Sequence, residues 1–116
     1  MEEKYGTQNQ KFLTVSQLQE TTTVTNIIVK LVSQDLTVSS GTKCVYEFLV
    51  GDETGAIPLI VSGKLFKKEI FKIGSTISLV DVQCQFLVDS PTLILTQFTK
   101  IQRSEKQLQS VQTSLL

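Results

Sequence analysis

Apolar residues in this chain recur mainly at every second position, in runs separated by Gly, Asn, Asp, Ser and Pro. That is the period of strands. The first run, Thr22 to Gln34, contains Val24, Ile27, Ile28, Val29, Leu31 and Val32 and is too β-branched to favour helix. Its apolar phase changes near Asn26–Ile28, which predicts a long strand that bends or bulges to serve two sheets. Lys43–Val50 and Ala56–Val61 form the second and third strands, joined by the tight turn Gly51-Asp-Glu-Thr-Gly55. Strand four runs from Ser75 to Val88, and Asp89-Ser90-Pro91 turns the chain into strand five, Thr92 to Thr99.

The period changes once in the middle. Leu65, Phe66, Ile70 and Ile73 fit one helical face, with Lys64, Lys67, Lys68, Glu69 and Lys72 mostly on the other. Ser62 suits the N-cap and Gly74 the C-terminal stop, so a short helix is predicted between strands three and four. Residues 1–10 read as a flexible leader. The segment Lys11–Leu18 is expected to lie across the domain, with Ser16 able to cap a helical turn. In residues 103–116, Ser104 to Gln107 has capping-box spacing and Leu108, Val111 and Leu115 follow at helical intervals, which predicts a C-terminal amphipathic helix or tail.

Three strands, a helix and two strands, with the first strand long and bent, predict an all-β five-stranded Greek-key barrel, the OB-fold, over residues 11–102. A two-sheet sandwich would need more strands.

At 116 residues the chain can bury a core without disulfides or metal. The 11 basic and 11 acidic residues cancel, which argues against binding driven by bulk charge. Ten of the basic residues are Lys and one is Arg103, so bidentate phosphate or guanine recognition has few donors. Histidine is absent, which removes the usual general base, the His-activated nucleophiles and His-containing zinc sites. Asp52 and Glu53 sit side by side in a turn, where neighbours point apart. The expectation is no enzyme, no metal and no cofactor. Cys44 and Cys84 lie in separate apolar runs. They are expected to be buried free thiols in a reducing compartment, and a disulfide stays open only if their strands are neighbours. No apolar run is long enough to span a bilayer, and the acidic, polar start, Met1-Glu-Glu-Lys, does not resemble a secretory signal. The expectation is an intracellular protein with no membrane partner and no small-molecule substrate.

Val50-Gly51-Asp52-Glu53-Thr54-Gly55-Ala56-Ile57 resembles the (V/A)-x-D-x-T-G-x-I hairpin of OB-folds in the replication protein A and single-stranded-DNA-binding family. Anticodon-binding OB domains of tRNA synthetases use a similar turn. Phe12–Leu18 ahead of strand one and Ile73–Ile77 leading strand four stand in the same order, so the resemblance covers residues 12 to 102. Asp52 and Thr54 are expected to hold the hairpin by bonding nearby backbone, with Gly55 at positive φ, and not to touch a ligand.

The resemblance implies single-stranded nucleic acid lying across strands two and three, between the loops joining strands one–two and four–five. Such binding needs a positive groove and aromatic platforms worth about 1–3 kcal/mol per base. Strand alternation assigns Tyr46, Phe48, Val50, Ile57, Leu59 and Val61 to the core. It leaves Val45, Glu47 and Leu49 outward on strand two, and Pro58, Ile60 and Ser62 outward on strand three. Where the family commonly carries an aromatic at the end of strand three, this chain has Ser62. On strand four it has Gln83 and Gln85, and Phe86 reaches the outside only if the register slips by one. Pro58 has no N–H to donate, so one side of strand three is expected to be an edge or to meet a partner through side chains.

An apolar outward patch on a neutral protein points to a protein partner, as does the stripe Leu108, Val111 and Leu115. That stripe either folds back on its own barrel or docks on another chain, and the sequence leaves both open. The lysines at 64, 67, 68 and 72 are the one basic cluster, at the barrel's bottom and away from the usual strand groove. They read as a solvated face, with a secondary phosphate contact as the sharper alternative. The leading expectation is a non-catalytic OB-fold subunit of a multiprotein nucleic-acid complex, of the replication, telomere or DNA-modification type. The resemblance makes it nuclear. One alternative is an autonomous single-stranded-DNA binder using Lys30, Lys43, Gln83, Gln85 and Phe86; another is a tRNA-binding appendage.

Overall fold

The computed structural model describes residues 11–40, 43–87, 89–104, 108 and 111. Its strands are β1 (Phe12–Leu13), β2 (Val24–Ser40), β3 (Lys43–Asp52), β4 (Gly55–Ser62), β5 (Thr76–Leu87), β6 (Ser90–Ile94) and β7 (Lys100–Arg103). The five predicted strands are β2 to β6. In the sheet the order is β1-β2-β3-β4-β6-β5-β7, and an additional β2–β5 pairing closes β2 to β6 into a five-stranded barrel.

Closure depends on β2. Lys30 to Ser40 pair with β3, while Val24 to Lys30 pair with β5. The register shifts between Thr25 and Ile27, again between Leu31 and Ser33, and again between Gln34 and Leu36. The first of these is where the apolar phase changes in the sequence. Bulges of this kind raise local twist and let one strand turn a barrel corner. Opposite it on β5, Asp81 takes φ 62° and donates its N–H to Asn26 Oδ1 at 3.0 Å. The inward set on β5 therefore shifts from Ile77 and Leu79 to Val82 and Cys84. The barrel is completed by a short parallel pairing of β4 with β6, Leu59 to Leu93 and Ile60 to Ile94.

The interior is filled by alternate residues: Ile27, Val29 and Leu31 of β2, Phe48 and Val50 of β3, Ile57, Leu59 and Val61 of β4, and Leu93 of β6. At one end Val15 and Leu18, in and just after a 3-10 turn over Val15–Gln17, are buried as a lid. Thr14, not Ser16, opens that turn, its N–H donating to Gln17 Oε1 at 2.8 Å.

At the other end residues 63–75 form a plug, and they differ from the predicted helix. Isolated turns close it: Leu65 N–H to Ser62 O, Ile70 and Phe71 N–H to Lys67 O, and Ser75 N–H to Lys72 O. Phe66 and Phe71 both stack into the barrel, Phe66 on Tyr46 (4.1 Å between centroids) and Phe71 on Phe48 (5.5 Å). Residues five apart on a regular helix point about 140° apart, so a helix could not present both rings to one stack. Ile73, expected on the buried face, is 53% exposed, and Gly74 takes φ 94° where the chain re-enters the barrel.

Two short strands were not predicted. β1 runs parallel to β2 and β7 antiparallel to β5. Strand five is shorter than expected, since β6 stops at Ile94 and the chain turns before β7. Of the C-terminal segment, Leu108 and Val111 lie in irregular backbone. Leu115 and the rest of the predicted helix from 105 on lie outside the described residues, as do residues 1–10.

Candidate functional site

The Asp52–Thr54 turn holds two parts of the chain together. Asp52, 6% exposed, accepts the N–H of Thr54 at 2.8 Å and its hydroxyl at 2.6 Å on Oδ1. Its Oδ2 accepts the buried N–H of Val15 at 3.0 Å. Thr54 Oγ1 in turn accepts the N–H of Ser16 at 3.0 Å. The carboxylate and the Thr54 hydroxyl thus each satisfy one N–H of the N-terminal lid, those of Val15 and Ser16, and the hairpin residues act structurally, as expected. The glycine expectation is corrected: among the described residues the glycine at positive φ is Gly74.

Gly51 has a different constraint. A Cβ there would run first into the Gly55 carbonyl oxygen, and would lie 2.8 Å from Val111 Cγ1 and 2.9 Å from Ala56 Cα. The tail therefore packs directly on the outside of the β3–β4 hairpin. Leu108 donates its N–H to Thr76 Oγ1 at 3.3 Å and lines a 280 Å³ cavity with Phe12, Leu13, Ile28 and Asp52–Thr54. At these two positions the tail docks on its own barrel.

Beyond the tail the outward face continues along β3 and β4. Leu49 pairs with Pro58, Glu47 with Ile60 and Val45 with Ser62, and all six are half-buried. Ile60 pairs onward with Ile94, and Ile94 with Gln83. β6 pairs with β4 only at Leu59 and Ile60, so Pro58 sits just outside the second ladder and its missing N–H is tolerated. The β3, β4 and β6 positions just named carry no aromatic ring, and Glu47 is the one charge among them.

The positions weighed for nucleic-acid contact are not gathered onto it. Gln83 and Gln85 do face outward and are exposed. Phe86 does not: it pairs with Pro91 and packs against the core, because β5 keeps the inward alternation of Val82 and Cys84. Lys30 lies opposite Gly51 and Thr76, at the tail end of the face. Lys43 opens β3 opposite Ser40, and its side chain is outside the described residues.

The same barrel is found in solved structures. The chain is similar to a hypothetical protein, F20O9.120, from Arabidopsis thaliana, with 21% identity and a TM-score of 0.67 over 99% of this chain and 88% of that one. It is similar to a replication factor A-related protein from Methanobacterium thermoautotrophicum, with 15% identity and a TM-score of 0.68 over 82% and 92% of the two chains. The OB domain of MM0293 from Methanosarcina mazei gives 17% identity and a TM-score of 0.68 over 84% and 87%. The chain has an OB-fold. No protein-family model and no curated protein matches it.

A second surface of this OB-fold joins two lysines of the basic cluster to a turn that the sequence pattern does not reveal. Past β6 the chain makes a tight turn at Thr96–Thr99. Thr96 N–H donates to Thr99 Oγ1 at 3.0 Å, Phe98 N–H to Thr96 Oγ1 at 3.2 Å, and Thr99 Oγ1 to Asp81 O at 3.0 Å. At the tip Phe98 is 73% exposed. Across a 210 Å³ groove from this turn lie Lys64 and Lys67 of the plug. A Thr-x-x-Thr pair around an aromatic signals such a turn, but here it ends a strand-like run and reads as part of it.

Both thiols are free. Cys84 is buried, and burial pushes its pKa up. Cys44 is half-buried; the pKa of the Tyr46 hydroxyl is raised, first by its side-chain hydrogen bond with Cys44, then by its electrostatic interaction with that residue and by its own burial.

Proposed function

We propose that the chain is a non-catalytic subunit of a multiprotein nucleic-acid assembly, of the replication, telomere or DNA-modification type and acting in the nucleus. Its outward β3–β4–β6 face is a protein-contact surface. The observation that carries this reading is the composition of that face. Three facing pairs, Val45–Ser62, Glu47–Ile60 and Leu49–Pro58, with Ile94 beside them, make a mainly aliphatic surface with a single acid. Stacking single-stranded bases requires rings and cations there, whereas aliphatic surface around one charge suits burial against protein. The fold supports the assembly type by analogy only.

A photo-reactive amino acid at Ile60 tests this in cells of the source organism. The expected product is a discrete adduct with another protein, resistant to nuclease and lost when Leu49 is changed to Glu. A nuclease-sensitive adduct in its place would refute the reading.

A further inference from the structure

We propose a nucleic-acid contact site off the sheet face, at the corner between the plug and the Thr96–Thr99 turn. Its ligand is a single strand, with phosphates on Lys64 and Lys67 and one base on Phe98. Three observations converge here. Among the described residues Phe98 is the most exposed of the large apolar side chains, and its turn is fixed by four side-chain hydrogen bonds around Thr96 and Thr99. An exposed ring gains little from the fold, and a fixed backbone beneath it lowers the entropy lost on stacking. The groove beside it is lined by Lys64 and Lys67 on one wall and by Thr96, Gln97 and Thr99 on the other. Phe98 stands in the chain between Gln97 and Thr99, two residues of that second wall, so its turn borders a groove that also holds two cations.

The charge balance is also local. In a neutral chain, the plug and β7 carry Lys64, Lys67, Lys68, Lys72, Lys100 and Arg103, against Glu69 and the nearby Asp81. Arg103 is already committed, its Nη2 donating to the Glu69 carbonyl at 2.8 Å. Release of the counterions of a polyanion favours its binding at such a local excess of cations. An acidic protein segment is the competing ligand; the exposed ring on the turn that walls the groove favours a strand that offers a π-face with every phosphate.

The experiment is fluorescence anisotropy with labelled oligo-dT and, in parallel, an abasic oligomer of equal length, at low and moderate salt. Wild type should bind oligo-dT. Phe98→Ala should weaken oligo-dT binding about tenfold while leaving the abasic strand unchanged. Lys64→Ala with Lys67→Ala should weaken both strands and flatten the log–log salt slope by about 0.7 per phosphate lost. All three positions are exposed or at the surface, so unfolding midpoints should match wild type. No oligo-dT binding at low salt, or binding indifferent to Phe98→Ala, would overturn the proposal. The proposed protein contact at Ile60 is read by a separate cross-link, so the two can fail independently.

Discussion

Removing the Asp52 carboxylate tests how the lid is held. Asp52→Ala deletes three acceptors' worth of bonding: to Val15 N–H, to Thr54 N–H and to the Thr54 hydroxyl. Val15 is 1% exposed, so its N–H cannot turn to water. An orphaned buried donor costs about 1–3 kcal/mol. The Thr54 groups lie near the surface and recover partners in solvent, so they add about 1 kcal/mol at most. The expected loss is about 1–4 kcal/mol, a large part of the ~5–15 kcal/mol that stabilises an ordinary domain. At about 4 °C per kcal/mol for a domain of this size, the midpoint should fall by roughly 4–16 °C. Asp52→Asn is the sharper variant. It keeps the shape but turns one oxygen into a donor that must face a donor, either at Val15 or at Thr54. It should retain the fold yet cost about 1–3 kcal/mol. Urea titration measures the loss, and hydrogen exchange locates it. The amides of Val15 and Ser16 should lose protection before those of Leu59 and Leu93. An Asp52→Asn protein within about 0.5 kcal/mol of wild type, or one with Val15 still protected, would refute the lid account.

Further expectations concern the tail, the plug and the thiols. Gly51→Ala should cost about 1–3 kcal/mol and shift the Val111 methyl resonances; Val111→Ala should relieve only a small part of this, since the backbone of Gly55 and Ala56 also stands in the way. Phe71→Ala should cost about 3–5 kcal/mol, measured by chemical denaturation, because the ring is 5% exposed and stacked on Phe48. Lys68→Gly, which costs about 1 kcal/mol inside a helix, should be close to neutral in a plug built from turns. For Cys84, whose folded pKa lies above its unfolded one, the unfolded chain loses its proton first. That contribution to stability is present below about pH 8.5 and is lost as pH rises towards the folded pKa. Denaturation midpoints followed up to alkaline pH should therefore fall less steeply in Cys84→Ala.

Where one side chain in two must be buried, the sequence is legible. The inward sets of β3 and β4 follow directly from alternation, because any other register would expose Phe48, Val50, Leu59 and Val61. The bend in β2 showed as a phase change for the same reason: a bulge shifts which residues face in. The Asp52–Thr54 turn was legible through the chemistry of its side chains. The misses have a common physical origin in structure that periodicity does not encode. β1 and β7 are short edge pairings that bury little. The plug contains enough apolar residues for a helical stripe, yet the stack of Phe66 and Phe71 on Tyr46 and Phe48 outweighs local helix preference. The exposed Phe98 was read into strand five, because only the threonine bonds across the turn distinguish it from a continuing strand.

The central claim is that the sheet face of this OB-fold is not a stacking platform for single strands. Amide chemical-shift mapping of the 15N-labelled protein during titration with oligo-dT tests it most directly. The account predicts that residues 45–49 and 58–62 stay in place while those around 64–70 and 96–100 move. Saturable shifts along 45–49 and 58–62 would contradict it, and would return the nucleic acid to the face from which its rings are missing.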